Sequence, residues 1–223
     1  MNKLNHISFI PDGNNRWAKK NNYSMFDSYN KGANKILKIT DFLFTKYSDL
    51  KTISFFILST HNTNRKSFLK TYEMILKKFY SNSIQEKKYS KLNIYTIGKY
   101  NKFKKNIVED INFLNKKFDP KNKTLLLCLN YSGLEEIISI INKSKNVKIS
   151  LNNLKKLSYT KYFEDPDLII RSGGYKRLSD FFLIQSTFSE FIFLKTLWPD
   201  ITINQIKQSI NKYENTLRKF GKF

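Results

Sequence analysis

The chain of 223 residues contains little cysteine, glycine, proline and arginine, and no long apolar run. A single cysteine, Cys128, excludes an internal disulfide and a structural zinc site, which favours a reducing, cytoplasmic setting. No window holds the roughly 18 apolar residues of a transmembrane helix, and the first residues show no secretory signal. A hydrophobic content of 40% and an aromatic content of 15% exclude wholesale disorder and predict one domain over residues 1–223.

Positive charge is in large excess, because 40 lysines and arginines accompany only 18 acidic residues and give a net charge of +22. This balance predicts an anionic partner, such as nucleic acid, phosphorylated metabolites or an acidic membrane surface. Only 5 of the basic residues are arginines and asparagine is abundant, so part of the charge reflects compositional bias. Since no RNA-binding signature accompanies the lysines, nucleic acid is not predicted as a partner.

Short apolar segments alternate with longer stretches of helical periodicity, which is the pattern of βαβ units in a mostly parallel sheet. Six strands are predicted, at residues 6–10, 52–58, 92–97, 124–130, 167–171 and 191–194. Apolar residues spaced three or four apart predict helices at 107–118 and 203–217. The predicted fold class is therefore α/β, with ligands expected at the carboxyl ends of the strands.

The first candidate site is PDGNNRW, residues 11–17, between a predicted strand and a predicted helix. Backbone amides at the helix N-terminus, close approach at Gly13 and the guanidinium of Arg16 would bind an anion. Asp12 would repel a phosphate unless a divalent cation lies between them, which predicts a Mg²⁺-diphosphate. The alternative is that Asp12 only caps the helix and that Arg16 lies on the surface.

The second candidate site is LSTHNTNRK, residues 58–66, at the carboxyl end of the next strand. Hydroxyl, amide and guanidinium groups are concentrated in it: Ser59, Thr60, Asn62, Asn64 and Arg65. His61 is either a general base or an exposed bystander, and the sequence leaves both interpretations open. His6, which opens a buried strand, is predicted to be a hydrogen-bonded structural histidine.

The third candidate site lies in DLIIRSGGYKRLSDFFLIQSTFSEF, residues 167–191. Two arginines around a glycine pair indicate a diphosphate clamp, because the glycines let the backbone wrap an anion. The candidate residues are Arg171, Gly173, Gly174, Arg177 and Ser179. Glu190 lies between apolar neighbours and needs a partner, either a cation or arginine at the site or a salt bridge at a helix end.

These segments resemble the cis-prenyltransferases, whose bacterial members are undecaprenyl diphosphate synthases. HISFIPDGNNRWAKK resembles the opening DGN-x-RW signature, and NYSG, residues 130–133, is similar to NYGG. IIRSGGYKRLSDFFLIQSTFSEFIFLKTLWPD is close to the block RTGGE-x-R-x-S-N-FL-WQ-x-x-Y-x-E-x-x-F-x-x-x-x-WPD. The resemblance implies a homodimer with a six-stranded parallel sheet and a hydrophobic tunnel. It also implies Mg²⁺-assisted condensation of isopentenyl diphosphate, in cis, onto an allylic diphosphate such as farnesyl or geranylgeranyl diphosphate.

The same resemblance implies roles for individual residues. Asp12 and Glu190 would be the acidic residues that act with Mg²⁺. Residues that would hold the allylic diphosphate are Gly13, Asn14 and Arg16, and Trp17 matches the signature as a residue that either binds or packs. Asn62 and Arg65 would lie near the reacting centre, with Asn62 as one candidate for relaying the departing proton. Residues that would bind isopentenyl diphosphate are Arg171, Arg177 and Ser179.

Several positions depart from that pattern. Where many members have a GH-x-x-G segment with a histidine, this chain has Ser28, Tyr29 and then Gly32, and Met25 replaces an arginine. Thr63 stands where an aromatic residue or leucine is usual, and His61 where glutamate is usual. These departures leave open a second function, that of a catalytically silent binding subunit of a prenyltransferase complex. The cationic surface is also expected to contact an anionic membrane peripherally.

Overall fold

The computed structural model describes residues 2–62, 73–74, 76–77, 80, 92–144 and 150–218. Its centre is a six-stranded sheet with the strand order β3-β4-β2-β1-β5-β6, in which every pairing is parallel. The strands are β1 His6–Ile10, β2 Thr52–Ser59, β3 Leu92–Ile97, β4 Lys123–Tyr131, β5 Leu168–Arg171 and β6 Glu190–Phe193. The six predicted strands are confirmed, with ends that differ by at most one residue.

The described ranges also contain helices between the strands. These are α1 Asn14–Asn21, α2 Met25–Lys46, α3 Lys105–Lys116, α4 Gly133–Lys143, α5 Leu151–Leu157 and α6 Ile203–Glu214. The two predicted helices are confirmed but end earlier than predicted, so that Phe118 and Leu217 lie beyond α3 and α6. Helix α6 begins with a capping box, in which Thr202 and Gln205 satisfy each other's backbone amides. No helix in these ranges is long and apolar enough to cross a membrane.

The inner strands β1, β2, β4 and β5 are buried on both faces, as expected for parallel strands, whereas the edge strand β6 is partly exposed. Alternate residues of a strand point to opposite faces, and each face carries its own apolar cluster. On one face Phe9 stacks on Phe55 with 4.9 Å between ring centroids, and helices α2, α3 and α6 cover this cluster. On the other face Phe56 stacks on Phe181 at 4.8 Å. Burial on both faces explains why the inner strands read as continuous apolar runs.

The strand order brings three loops to one edge of the sheet. Strand β1 lies between β2 and β5, and Ile10 at its end is in register with Arg171 at the end of β5. Because all strands are parallel, the loops that follow β1, β2 and β5 leave from the same edge. The chain crosses from one side of β1 to the other between β4 and β5, which opens a crevice at that edge.

His6 is the structural histidine that the sequence predicts. It is 1% exposed, and its Nδ1 lies 2.7 Å from the carbonyl oxygen of Glu164, so Nδ1 carries the proton and donates. Nε2 then accepts from the hydroxyl of Ser54 at 2.8 Å. Burial is the main reason that the pKa of His6 falls from 6.5 to about 4. The neutral imidazole is therefore the form that the fold accommodates.

Acidification from pH 7.5 to 5.5 is expected to lower the free energy of unfolding by about 1 kcal/mol through His6. In this interval the unfolded chain binds a proton at His6 while the folded chain does not, because the folded pKa lies near 4. This contribution to stability is complete above pH 6.5 and is lost as the pH falls toward 4. Urea unfolding at both pH values measures it.

The chain has two histidines, which provides a matched control. His61, whose side chain is 74% exposed, is the second, and His61→Gln should keep the pH dependence. His6→Gln should remove it. An unchanged pH dependence in His6→Gln would contradict the assignment.

Candidate active site

The three loops at the carboxyl edge of the sheet surround an open cavity of about 620 Å³. Residues 10–16 form one wall, and Arg171, Arg177 and Ser179 form another. Ser59 at the end of β2, His61 just after it and Asp180 complete the polar lining. Segments that the sequence singles out separately are therefore brought together in one site.

The centre of the site is an ion pair between Asp12 and Arg171. Nη2 of Arg171 lies 2.7 Å from Oδ2 of Asp12, and the side chain of Arg171 is only 4% exposed. Nη1 of the same guanidinium donates to Oγ of Ser179 at 2.8 Å and to the carbonyl oxygen of Arg177. One buried guanidinium therefore connects the carboxylate after β1 to the loop after β5, in the fork geometry that arginine provides.

The other oxygen of Asp12 faces Arg16. Nη2 of Arg16 lies 3.4 Å from Oδ1, and both side chains are partly exposed, at 43% for Arg16 and 27% for Asp12. Gly13, not Asp12, occupies the N-cap of α1, and no side chain caps that helix. The alternative interpretation of Asp12 as a plain helix cap is therefore wrong. Its carboxylate is available to the cavity.

Ser172 holds the turn that carries Asp12. Its hydroxyl accepts from the backbone N–H of Asp12 and donates to the carbonyl oxygen of Asp12, each at 2.9 Å. The same carbonyl accepts from the backbone N–H of Trp198 at 2.9 Å. Sequence reasoning did not single out Ser172, although its position directly after Arg171 in the predicted loop is a usable signal.

Glycine is required at two positions around this ion pair. Gly13 has φ +107°, and a Cβ there would lie 2.7 Å from Cδ2 of Leu197. Gly173 has φ +84°, and a Cβ there would lie 2.6 Å from Nη2 of Arg16 and 3.0 Å from the carbonyl oxygen of Asp12. Both backbones occupy the left-handed region that favours glycine. The loops approach each other this closely because neither residue has a side chain.

Asp180 is a second carboxylate that sequence reasoning missed. Its Oδ1 accepts from the backbone N–H of Leu134 at 2.9 Å, at the start of α4. Its Oδ2 lies 3.9 Å from Nε2 of His61, and the side chain is 11% exposed. A signal was present in the sequence, because Asp180 stands where the quoted block has asparagine.

Glu190 does not lie beside Asp12 within one chain. It opens β6 opposite Leu168, whereas Arg171 pairs with Phe193 at the other end of the two strands. Glu190 and Phe193 are three residues apart on the strand, which corresponds to about 10 Å. Glu190 also begins a strand rather than ending a helix, and no ion pair involves it among the described residues. The two predicted metal ligands are not brought together in one chain, and the metal role of Glu190 stays a prediction.

Three other site residues are predicted from the sequence: Trp17, Asn62 and Arg65. Trp17 is 5% exposed and packs against Tyr23, with 5.1 Å between ring centroids, so it belongs to the packing and not to the cavity lining. The backbone of Asn62 ends the short 3₁₀ helix Thr60–Asn62, next to His61 at the cavity. Arg65, like Thr63, lies outside the described residues.

A narrower cavity of about 60 Å³ adjoins the first and is mainly apolar. The two cavities share the wall residues Pro11, Asn14, Tyr29, Phe56 and Ile57. The rest of the narrow cavity includes Ile36, Leu76, Leu127 and Trp198, between α2 and the sheet. The hydrophobic tunnel that the resemblance implies stays a prediction. Tyr29, one of the departures from the family pattern, stands at the junction of the two cavities.

The donor atoms of the site determine which metal ion it could hold. In the described part of the chain, no three acidic, histidine or cysteine side chains cluster as a metal site would require. Two carboxylates of the described residues line the cavity, Asp12 and Asp180, and Asp12 is the more exposed of them, at 27% against 11%, and pairs with Arg171. Mg²⁺ commonly binds through one or two carboxylates together with waters and substrate phosphates. This donor set therefore fits Mg²⁺ in the company of a diphosphate.

The fold and the site together define an α/β enzyme that handles anionic groups next to an apolar cavity. A sequence model described as "Putative undecaprenyl diphosphate synthase" matches residues 10–221. The chain therefore belongs to this family of prenyl transferases.

Known relatives are similar in sequence to this chain over nearly its full length. The chain is 32% identical to an "Isoprenyl transferase" of Wolinella succinogenes, over 99% of this chain and 98% of that one. It is 33% identical to a geranylgeranyl-diphosphate-specific tritrans,polycis-undecaprenyl-diphosphate synthase of Sulfurisphaera tokodaii, over 97% and 87%. Its fold is similar to lavandulyl diphosphate synthase from Lavandula x intermedia, solved with dimethylallyl diphosphate, at a TM-score of 0.84, 24% identity and 99% coverage of both chains.

Proposed function

We propose that the protein condenses isopentenyl diphosphate, in cis, onto an allylic diphosphate and so makes a polyprenyl diphosphate, with Mg²⁺ as cofactor. The observation that carries this proposal is the pair of Asp12 and Arg171, which joins two anion-binding loops beside an apolar cavity. The primer is an allylic diphosphate such as farnesyl or geranylgeranyl diphosphate. Family membership supports the reaction class.

The allylic diphosphate would bind at the N-terminus of α1. Gly13 and Asn14 form the start of that helix, whose first turn contains no acidic residue, and Arg16 projects into the cavity. Free backbone amides and the positive end of the helix favour an anion there. Isopentenyl diphosphate would bind to Arg171, Arg177 and Ser179 on the loop after β5. The two diphosphates would then lie on either side of Asp12.

Asp12 would hold Mg²⁺ against the diphosphates, oriented by Arg171 and by the turn that Ser172 closes. When bound, the metal would neutralise the charge that develops on the leaving diphosphate as the allylic carbon–oxygen bond breaks. Arg16 would stabilise the same charge from its own loop. The isopentenyl double bond supplies the electrons of the new carbon–carbon bond as the allylic carbon–oxygen bond breaks. A proton then leaves the carbon next to the resulting cation, toward a diphosphate oxygen or through a relay that includes Asn62, and a new double bond forms.

The apolar cavity would receive the growing hydrocarbon chain. Each methylene that is buried there contributes about 0.8 kcal/mol. Leu76 lines this cavity, whereas Tyr80 lies in the core and Phe42 and Phe44 pack against it. Since the cavity is narrow, its walls have to separate as the product lengthens.

Assembly as a homodimer is part of the proposal. Leu134, Ile138 and Ile141 lie one or two turns apart on α4 and are 56%, 52% and 53% exposed. An exposed apolar stripe of this kind supports contact with a second copy. If Glu190 acts at the metal, it does so from such a second copy. The net charge of +22 likewise supports peripheral contact with an anionic membrane that accepts the lipid.

Incorporation of labelled isopentenyl diphosphate tests the reaction. The purified protein should extend farnesyl or geranylgeranyl diphosphate when Mg²⁺ is present, and a chelator should stop the reaction. Thin-layer chromatography of the products identifies the preferred primer and the chain length. No incorporation with any primer over a wide range of Mg²⁺ concentrations would contradict the proposal and favour the silent binding subunit. Activity of the protein alone would exclude that alternative.

A further inference from the structure

One aromatic ring contacts two of the arginines that line the polar cavity. The guanidinium carbon Cζ of Arg16 lies 4.7 Å from the ring centroid of Tyr175, and that of Arg177 lies 4.2 Å from it. Both distances are within the roughly 6 Å range of a cation–π contact. Tyr175 follows the Gly173–Gly174 pair and does not itself line the cavity. Its contacts with the two arginines connect it to the cavity.

The two arginines come from different loops. Arg16 follows β1 and Arg177 follows β5, so each belongs to a different anion-binding group of the proposed function. Because both guanidinium groups lie over one ring, they are within about 10 Å of each other, which is one Debye length at 0.1 M salt. They therefore repel each other when no anion is bound.

Other groups do little to balance this repulsion. The stronger contact of Asp12 is with Arg171 at 2.7 Å, and its contact with Arg16 is longer, at 3.4 Å. No carboxylate within the described ranges forms an ion pair with the side chain of Arg177. Tyr175, which is 44% exposed, offers the negative face of its ring to both guanidinium groups. In the quoted family block this position is a glutamate, so this chain has a ring where that pattern has a carboxylate.

We propose that Tyr175 is a positioning residue, whose ring holds the guanidinium groups of Arg16 and Arg177 in place for two separate diphosphates. The ring lessens the repulsion between the two arginines before the substrates bind. This inference rests on the proposed function for the identity of the two anions. The arrangement of the two arginines over one ring does not depend on it.

Kinetics of ring-keeping and ring-removing variants test this role. Tyr175→Phe keeps the ring and should keep both KM values within about twofold of the wild type. Tyr175→Leu and Tyr175→Gln remove it, and should raise the KM for both the allylic diphosphate and isopentenyl diphosphate by about 5- to 20-fold. Their kcat should change less than their KM values do, because Tyr175 acts on the substrates through the arginines and does not itself line the cavity.

The matched control is Tyr162→Leu. Tyr162 is also an exposed tyrosine, at 53%, with a cation over its ring, since Nζ of Lys161 lies 4.8 Å from the centroid. It does not line the cavity, so this variant should keep wild-type KM values. Thermal unfolding of all variants checks that each is folded.

Binding of inorganic pyrophosphate, measured by calorimetry without primer, separates this inference from the proposed function. Ring-removing variants should bind pyrophosphate about 5- to 20-fold more weakly than the wild type and Tyr175→Phe. If the wild type binds pyrophosphate in this ring-dependent way but forms no product, the proposed function fails and the role of Tyr175 stands. If Tyr175→Leu, Tyr175→Gln and Tyr175→Phe have equal affinities and equal KM values, the inference is overturned.

Discussion

Replacing Asp12 with asparagine is expected to lower the rate of product formation by about 10²- to 10³-fold, because it removes a charged group aimed at the transition state. Asparagine has nearly the same size and can still accept a hydrogen bond from Arg171, but it offers no anionic oxygen to Mg²⁺. Arg171 also loses its charged partner, which is expected to cost about 1–3 kcal/mol of stability. Initial rates of isopentenyl diphosphate incorporation at saturating Mg²⁺ measure the first effect.

A surface aspartate provides the matched control for this variant. Asp165 is 53% exposed and pairs with Lys155 before β5, at the opposite edge of the sheet from the cavity. Asp165→Asn should leave the rate within about twofold and the stability within about 0.5 kcal/mol of the wild type, as for other exposed ion pairs. A rate for folded Asp12→Asn above one tenth of the wild type would count against the proposed role.

Replacing Arg171 with lysine is expected to weaken the binding of isopentenyl diphosphate by about 10- to 100-fold, although the charge is kept. The guanidinium reaches Asp12 with one nitrogen, and Ser179 and the carbonyl oxygen of Arg177 with another. An ammonium group is a compact point charge and cannot reproduce this fork. Because Arg171 is buried, losing part of these contacts should also cost about 2–3 kcal/mol of stability.

The KM for isopentenyl diphosphate and urea unfolding measure these two effects. Lys99→Gln is the control, since it removes one positive charge from an exposed ion pair with Glu135. It should change the stability by less than about 0.5 kcal/mol and leave the KM unchanged. An Arg171→Lys variant with a wild-type KM would show that the guanidinium fork is not needed for binding.

The strands could be predicted within one residue because each reads as an apolar run between polar segments, and the inner strands are in addition buried on both faces. Four charged side chains line one cavity: Asp12, Arg16, Arg171 and Arg177. Their meeting at one edge could be predicted from a single assumption, that the strands are parallel. In parallel strands, all loops after carboxyl ends meet at one edge. Helix ends were less predictable, as Phe118 and Leu217 continue an apolar spacing beyond the last helical turn.

Glu190 and Trp17 show where the sequence is ambiguous. An acidic residue among apolar neighbours has the same local sequence pattern at either end of a strand. Glu190 lies at the start of β6, opposite Leu168, and is therefore far from Asp12 in one chain. Trp17 belongs to the DGN-x-RW signature, yet an aromatic residue on a helix can either line the cavity or pack against neighbouring side chains. The rotation of α1 places it against Tyr23.

The sequence by itself determined the six strands, the glycine- and arginine-rich loops that follow them, and the resemblance to a family of prenyl transferases. These features depend on neighbouring residues, whose apolar spacing and turn propensities act locally. Only the tertiary structure decided that Arg171 pairs with Asp12, 159 positions away in the chain, and that Tyr175 contacts both Arg16 and Arg177. Such contacts depend on strand order and register, which arise from the packing of the whole sheet.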